Sequence, residues 1–201
     1  MTVTARDKLM EAAVAMVREK GFAATSVDDL CKQAGVTKGA FFHHFATKEQ
    51  LGVEAARHWD EMTSAFFAAQ AYRQLDDPLE RVLGYIDFRR EILAGEVSEF
   101  TCLVGTMVQE AYQSAPAIRD ACDVTISRHA AVIEQDIAAA IEACGINPDG
   151  WDAKGLALHM QAVLQGAFIL AKAKGGPEVA VQSIDHLKRY VSLLFRKETV
   201  H

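Results

Sequence analysis

Along most of the chain apolar residues recur every three to four positions, the spacing of helices with one buried face. No strand-like alternation persists for more than a few residues. Leu9, Ala13, Met16 and Val17 mark the first such stripe, on a helix over residues 4–20 stopped by Gly21. Val27, Leu30 and Ala34 mark a shorter one, with Ser26 as N-cap, Asp29 near its positive end and Gly35 as a left-handed stop. Val36 fills the turn and Thr37 caps a third helix. There Phe41 and Phe45, four apart, share a face, while Gly39, Ala40 and His43 fall opposite. Thr47 and Gln50 have the spacing of a capping box for a helix that continues through Trp59 to about residue 67. Helices of seven or eight residues do not hold alone in water, so the second and third must lean on their neighbours.

Residues 26–51 thus read as two short helices around a Gly-containing turn, the second rich in aromatics and histidines. That is the layout of a helix-turn-helix, which lays one helix in the major groove of DNA. Farther on, Asp77-Pro78 opens a helix carrying Val82, Leu83 and Ile86 that ends near Gly95, and another covers about residues 100–114. Pro116 opens a long one through Ile126, Ile133 and Ile141, with Gly145 just past its end. Residues 152–174 and 177–197 form the last two, parted by Gly175-Gly176. The sum is an all-α chain of about nine helices: an N-terminal three-helix helix-turn-helix domain and a C-terminal helical domain.

Half of the 201 residues are apolar, enough for a core in each part. The net charge of −6 argues against a nucleic-acid partner until its distribution is read: residues 1–50 carry a net +1, and the acidity lies beyond them. A head so weakly basic binds poorly alone, and two heads on one operator are the remedy. The best apolar run, residues 162–173, contains Gln165 and Lys172, so no bilayer crossing and no membrane partner are expected. No basic-then-apolar leader is present, which places the protein in the cytoplasm. Four cysteines lack metal-ligand spacing, the seven histidines do not cluster, and no hydrolase, zinc-protease, P-loop or dinucleotide motif occurs. No metal, cofactor or enzymatic activity is expected.

The segment VTKGAFFHHFATKEQL, preceded by GFAATSVDDLCKQAG, closely resembles the N-terminal domain of the TetR/AcrR transcriptional regulators. The resemblance covers roughly the first 60 residues without a gap. It implies a DNA-binding domain over residues 1–50, a linking helix over about 47–70, and a ligand-binding and dimerisation domain over 51–201. Matched position by position, Thr25, Ser26, Thr37, His44 and Lys48 resemble phosphate-contacting residues, which set register without reading sequence. Lys38, Gly39, Ala40 and His43 resemble the base-edge face: a donor to guanine, a close backbone approach, a contact to a thymine methyl. Phe42 stands where the family usually has Tyr, so a hydroxyl to phosphate is lost and the ring is left to pack on a sugar or methyl group.

The family's second domain generally binds an inducer. Phe66, Phe88, Arg89, Cys102, Met107, His129, His159 and Phe168 are the candidate pocket residues, although each reads equally well as core. The helix over residues 156–173 is apolar nearly all round, which calls either for burial within the chain or for packing against a twofold mate; the resemblance favours the mate. Gly155, Val163, Gly166, Leu170, Ile184, Leu187 and Val191 are the candidate interface. The implied function is a homodimeric repressor released from a palindromic double-stranded DNA operator by an unknown small-molecule inducer. Two alternatives stand beside it. One is a helical small-molecule sensor or carrier without DNA binding. The other is an electrophile- or redox-responsive repressor switching through Cys102, which sits near a helix N-terminus where a thiol gains reactivity.

Overall fold

The computed structural model describes residues 3–196, which form ten α-helices and one 3-10 turn with no strand among them. The first four helices are α1 (Ala5–Lys20), α2 (Val27–Ala34), α3 (Lys38–His44) and α4 (Lys48–Ala68). A 3-10 turn (Ala71–Gln74) follows, then α5 (Pro78–Glu91), α6 (Val97–Phe100), α7 (Leu103–Ala111), α8 (Pro116–Cys144), α9 (Ala153–Lys174) and α10 (Glu178–Leu194). The expected end of the last helix at Lys197 lies outside the described residues.

The helix starts follow their caps. Thr4 and Ser26 each close a capping box with the aspartate three residues on, and Thr37 accepts the Ala40 amide at 3.1 Å. Gly35 ends α2 at φ 64°, a conformation that a residue with a Cβ rarely takes. At α4 the box closes one residue early: Gln50 Oε1 accepts from the Ala46 amide rather than that of Thr47, while Thr47 accepts from Gln50 as expected.

The helix read over residues 100–114 is α7, which starts at Leu103, and a separate single turn, α6, precedes it. The Thr101 carbonyl, which a continuous helix would commit to its own ladder, instead accepts the Arg18 Nε–H at 2.8 Å. Cys102 then caps α7, its Sγ accepting from the Gly105 amide. The turn of α6 and the 3-10 segment are the two elements the periodicity did not predict, both too short to show a face.

Two compact units emerge. The first comprises residues 3–65 and 101–126, the second residues 66–100 and 127–196. The first unit's core joins Leu9, Met10 and Val17 of α1 to Leu30 of α2, Phe41 and Phe45 around α3, Leu51 and Ala56 of α4, and Leu103, Met107, Ile118 and Cys122 from α7 and α8. The second unit packs α9 and α5 against α10, and Leu164, Phe168, Ile184, Leu187 and Val191 are buried. Asp136 of α8 accepts from Arg73 and Arg81, and Lys188 donates to both oxygens of Asp87 at 2.7 Å.

Helix α9 departs from one expectation. By length and composition its 22 residues could cross a membrane, a test that a core helix also passes. Eight of those residues are buried.

Candidate nucleic-acid interface

Phe41 and Phe45 are both 0% exposed, and their burial is what holds the seven-residue α3 in place. Fixing that face fixes the other. Lys38, Gly39, Phe42 and His43 are exposed, Ala40 and His44 half-buried. Phe42 is 56% exposed, its ring edge-on to Phe41 at 5.2 Å. An exposed phenylalanine on a short polar face has no internal packing reason. Gly39 has none either, since a Cβ there would meet only Thr37 Oγ1 at 3.7 Å.

Lys38 pairs with Asp28 of α2 at 2.7 Å, both side chains largely in solvent. The Asp28 hydrogen bond and charge raise the Lys38 pKa. Such a pair contributes little to stability and exchanges readily for another anion. Sequence reasoning passed over Asp28, although the DD pair in the first turn of α2 is visible in the sequence.

Two of the residues matched to phosphate contacts are engaged inside the protein. Thr25 is 1% exposed and its hydroxyl donates to the Gly21 carbonyl at 2.7 Å. The Lys48 ammonium donates to the Phe22 and Thr25 carbonyls at 2.8 Å each and lies 4.4 Å from the Phe22 ring centroid. Desolvation lowers its pKa. Lys48 therefore closes the α1–α2 connection. A second clamp on that connection had no signal in the sequence: Glu110 of α7 accepts the Ala23 amide at 2.7 Å. Ser26 and Thr37 remain exposed, each accepting one amide of the helix it caps.

The candidate pocket residues divide. Phe66, Phe88, Arg89, His129 and Phe168 lie in the second unit, linked by ring contacts through Phe67 and Tyr85. His129 Nε2 sits 2.9 Å from the Tyr85 hydroxyl, and burial, aided by the Arg89 charge, pushes its pKa down to about 3. His159 stands apart from that group, edge-on to Tyr190 at 5.3 Å. Met107 and Cys102 belong to the first unit, Met107 fully buried in its core.

The candidate interface residues divide as well. Ile184, Leu187 and Val191 are at most 3% exposed and form the inner face of α10. Gly155 and Leu170 are exposed, Val163 and Gly166 half-buried. Beside them Leu158, Ile169, Tyr190 and Leu193 are also open to solvent, which periodicity alone could not assign to a side.

An all-helical chain whose N-terminal helix-turn-helix presents a solvent-facing second helix is the build of a DNA-reading regulator. Residues 9–55 match the bacterial regulatory proteins of the tetR family, and residues 78–179 match the C-terminal domain of LmrA/YxaF-like transcriptional regulators. The chain belongs to the TetR family. It is 39% identical over 83 residues to the transcriptional repressor KstR2 of Mycobacterium tuberculosis, a match spanning 39% of each chain. The transcriptional regulator LmrA of Bacillus subtilis is 25% identical over 140 residues, 66% of this chain and 70% of that one. The regulatory protein TetR from Rhodobacter sphaeroides superposes with a TM-score of 0.80 at 26% identity, over 92% of this chain and 98% of that one. Regulators of this family bind operator DNA and act as dimers.

Proposed function

We propose that the protein is a dimeric DNA-binding transcriptional regulator: a repressor that leaves a palindromic operator when a small-molecule inducer occupies its C-terminal domain. The observation that carries this reading is the outer face of α3. Lys38, Gly39, Phe42 and His43 are displayed to solvent on a helix immobilised by two fully buried phenylalanines, and neither Gly39 nor Phe42 serves the interior. The KstR2 and LmrA likenesses support it. In this reading residues 1–50 bind DNA, residues 51–201 bind ligand and dimerise, and the place of action is the cytoplasm.

The second copy docks on α9. Leu158, Ala162, Gly166 and Ile169 follow one another at helical spacing on its open side, next to Leu170. A Cβ at Gly166 would meet nothing within 4 Å, so only a partner gives the missing side chain a use, by letting a helix approach closely. Tyr190 and Leu193 extend the patch onto α10. Two heads then meet successive major grooves about 34–36 Å apart. Ligand favours a different head spacing, and affinity falls by linkage.

The test is a titration against DNA upstream of the protein's own gene, with random duplex as control, at two salt concentrations. Binding that exceeds random duplex by about a thousandfold, and that Lys38→Ala relaxes in base preference, is the expected result. Equal binding to both duplexes, unchanged in Lys38→Ala, would sink the reading of α3.

A further inference from the structure

The second unit holds a positive charge that its own residues do not answer. The Arg89 guanidinium lies between two rings, 5.2 Å from the centroid of Phe67 and 5.4 Å from that of Phe168. Its Nε–H is buried without a hydrogen-bond partner. Three acidic groups of the unit are committed elsewhere. Asp87 pairs with Lys188, Asp185 with Arg90, and Asp136 with both Arg73 and Arg81. Among the described residues none pairs with Arg89.

A guanidinium cannot shed its proton to escape burial, as lysine or histidine can. Stacking on ring faces offsets part of the desolvation but satisfies no N–H. An arginine kept only for packing would ordinarily spend a buried Nε–H on a carbonyl, because an unmet buried donor is costly.

Tyr72 and His129 offer no negative charge either. Burial holds the Tyr72 hydroxyl protonated, and His129, hydrogen-bonded to Tyr85, stays neutral. Phe66 and Phe88 complete an apolar wall at ring separations of 5.4–5.8 Å from one another and from Phe67. The set is one fixed cation, neutral hydrogen-bonding groups and aromatic faces. Its complement is an oxyanion on a flat or apolar body.

We propose that the second unit binds an organic anion with an aromatic or alicyclic body, its carboxylate or equivalent oxyanion seated on Arg89 through Nε and one Nη. This rests on the reading of that unit as the effector domain, and it names the ligand's charge and shape. An Arg–carboxylate fork supplies two parallel charge-assisted bonds, whereas a ligand without an acceptor oxygen leaves Nε unmet. The fixed Arg89 charge thereby discriminates against cationic ligands.

The experiment uses two fluorescent probes of one skeleton: 1-anilinonaphthalene-8-sulfonate and N-phenyl-1-naphthylamine, which lacks the sulfonate. They are titrated into the full-length protein, wild type, Arg89→Gln and Arg89→Lys. Wild type should bind the sulfonate at least about tenfold more tightly than the neutral amine, the worth of one charged hydrogen-bonding contact. Arg89→Gln should erase that preference while leaving the amine within about twofold, and Arg89→Lys should retain part of it. Equal affinity for the two probes in wild type, a preference that survives Arg89→Gln, or no saturable binding of either probe would each overturn the proposal. Should Arg89→Gln not fold, displacement of the bound sulfonate from wild type decides. Arylalkanoic acids must then compete better than their amides, and amides competing equally would count against it. Operator titrations of the same preparations separate the two readings. Intact DNA binding without anion preference removes only this inference, and anion preference without DNA binding removes the regulator reading.

Discussion

Lys48 stands in the first turn of α4, where a cation opposes the helix dipole, and that misplacement is the one legible sign that something else holds it. The sequence reading supplied a DNA phosphate as the reason. The fold supplies two carbonyls, those of Phe22 and Thr25, residues 26 and 23 positions away. The two explanations separate cleanly. Lys48→Met should lower stability by about 1–3 kcal/mol, the worth of hydrogen bonds to a charged donor, while leaving the salt dependence of DNA binding nearly unchanged. A phosphate contact would instead reduce the slope of log K against log salt by about 0.9. Thermal melts and titrations at four salt concentrations give both numbers. Gly39 makes the opposite case, a residue with no internal duty. Gly39→Ala should keep or raise the melting temperature, since alanine gains up to about 1 kcal/mol in helix propensity and the new methyl meets only Thr37. Operator affinity should nevertheless fall, because the helix can no longer approach the bases as closely. A variant that binds as tightly as wild type would exclude that close approach.

Helix ends were mostly legible because capping is a local code. Ser26, Asp29, Gly35 and Thr37 each act within three residues of their partners, so spacing alone locates α2 and α3. Asp29 does more than the box requires. It accepts from the Ser26 amide at 3.1 Å and from Lys20 at 2.8 Å, and these hydrogen bonds, that of Lys20 foremost, hold its carboxyl well below the usual carboxylate range. A depressed native pKa means stability that is present above the unfolded value of 3.8 and is lost as pH falls through the native value. Asp29→Asn should therefore be less stable than wild type at neutral pH, and the difference should narrow on acidification. Melts of both proteins between pH 7 and pH 2.5 check this, and a constant difference would mean that charge plays no part in the cap. Where a boundary was missed, a distant residue had intervened: Arg18 takes the Thr101 carbonyl and splits α6 from α7.

Taken whole, the chain does not partition at one point. Residues 101–126 join the N-terminal helices in one compact unit, so α7 and the first part of α8 share the core of the reading head. Periodicity shows that a helix has an apolar face but not which neighbour that face meets, and this is why a single cut near residue 50 was the natural reading. The same ambiguity governed the interface. On α10 the apolar residues Ile184, Leu187 and Val191 are consumed within the chain, whereas Leu158 and Ile169 of α9 are left open. Ile169→Glu should give a folded monomer with weakened operator binding, seen by sedimentation and titration. Leu187→Glu should fail to fold, since it buries an unpaired carboxylate. A dimeric Ile169→Glu protein would move the interface elsewhere.

What the order of residues settled unaided was whatever depends on neighbours three or four positions apart: the helical periodicity, the caps of α2 and α3, and the burial of Phe41 and Phe45 that turns Gly39 and His43 outward. The phosphate and interface assignments needed more. Whether Lys48, Ile184 or Val191 faces inward depends on carbonyls and helices brought up from elsewhere in the chain. So does the unanswered charge of Arg89, which exists only because Phe67 and Phe168, on two other helices, close over it. Those partners are long-range, and a polar group's role is set by which donor or acceptor the folded chain leaves unmet.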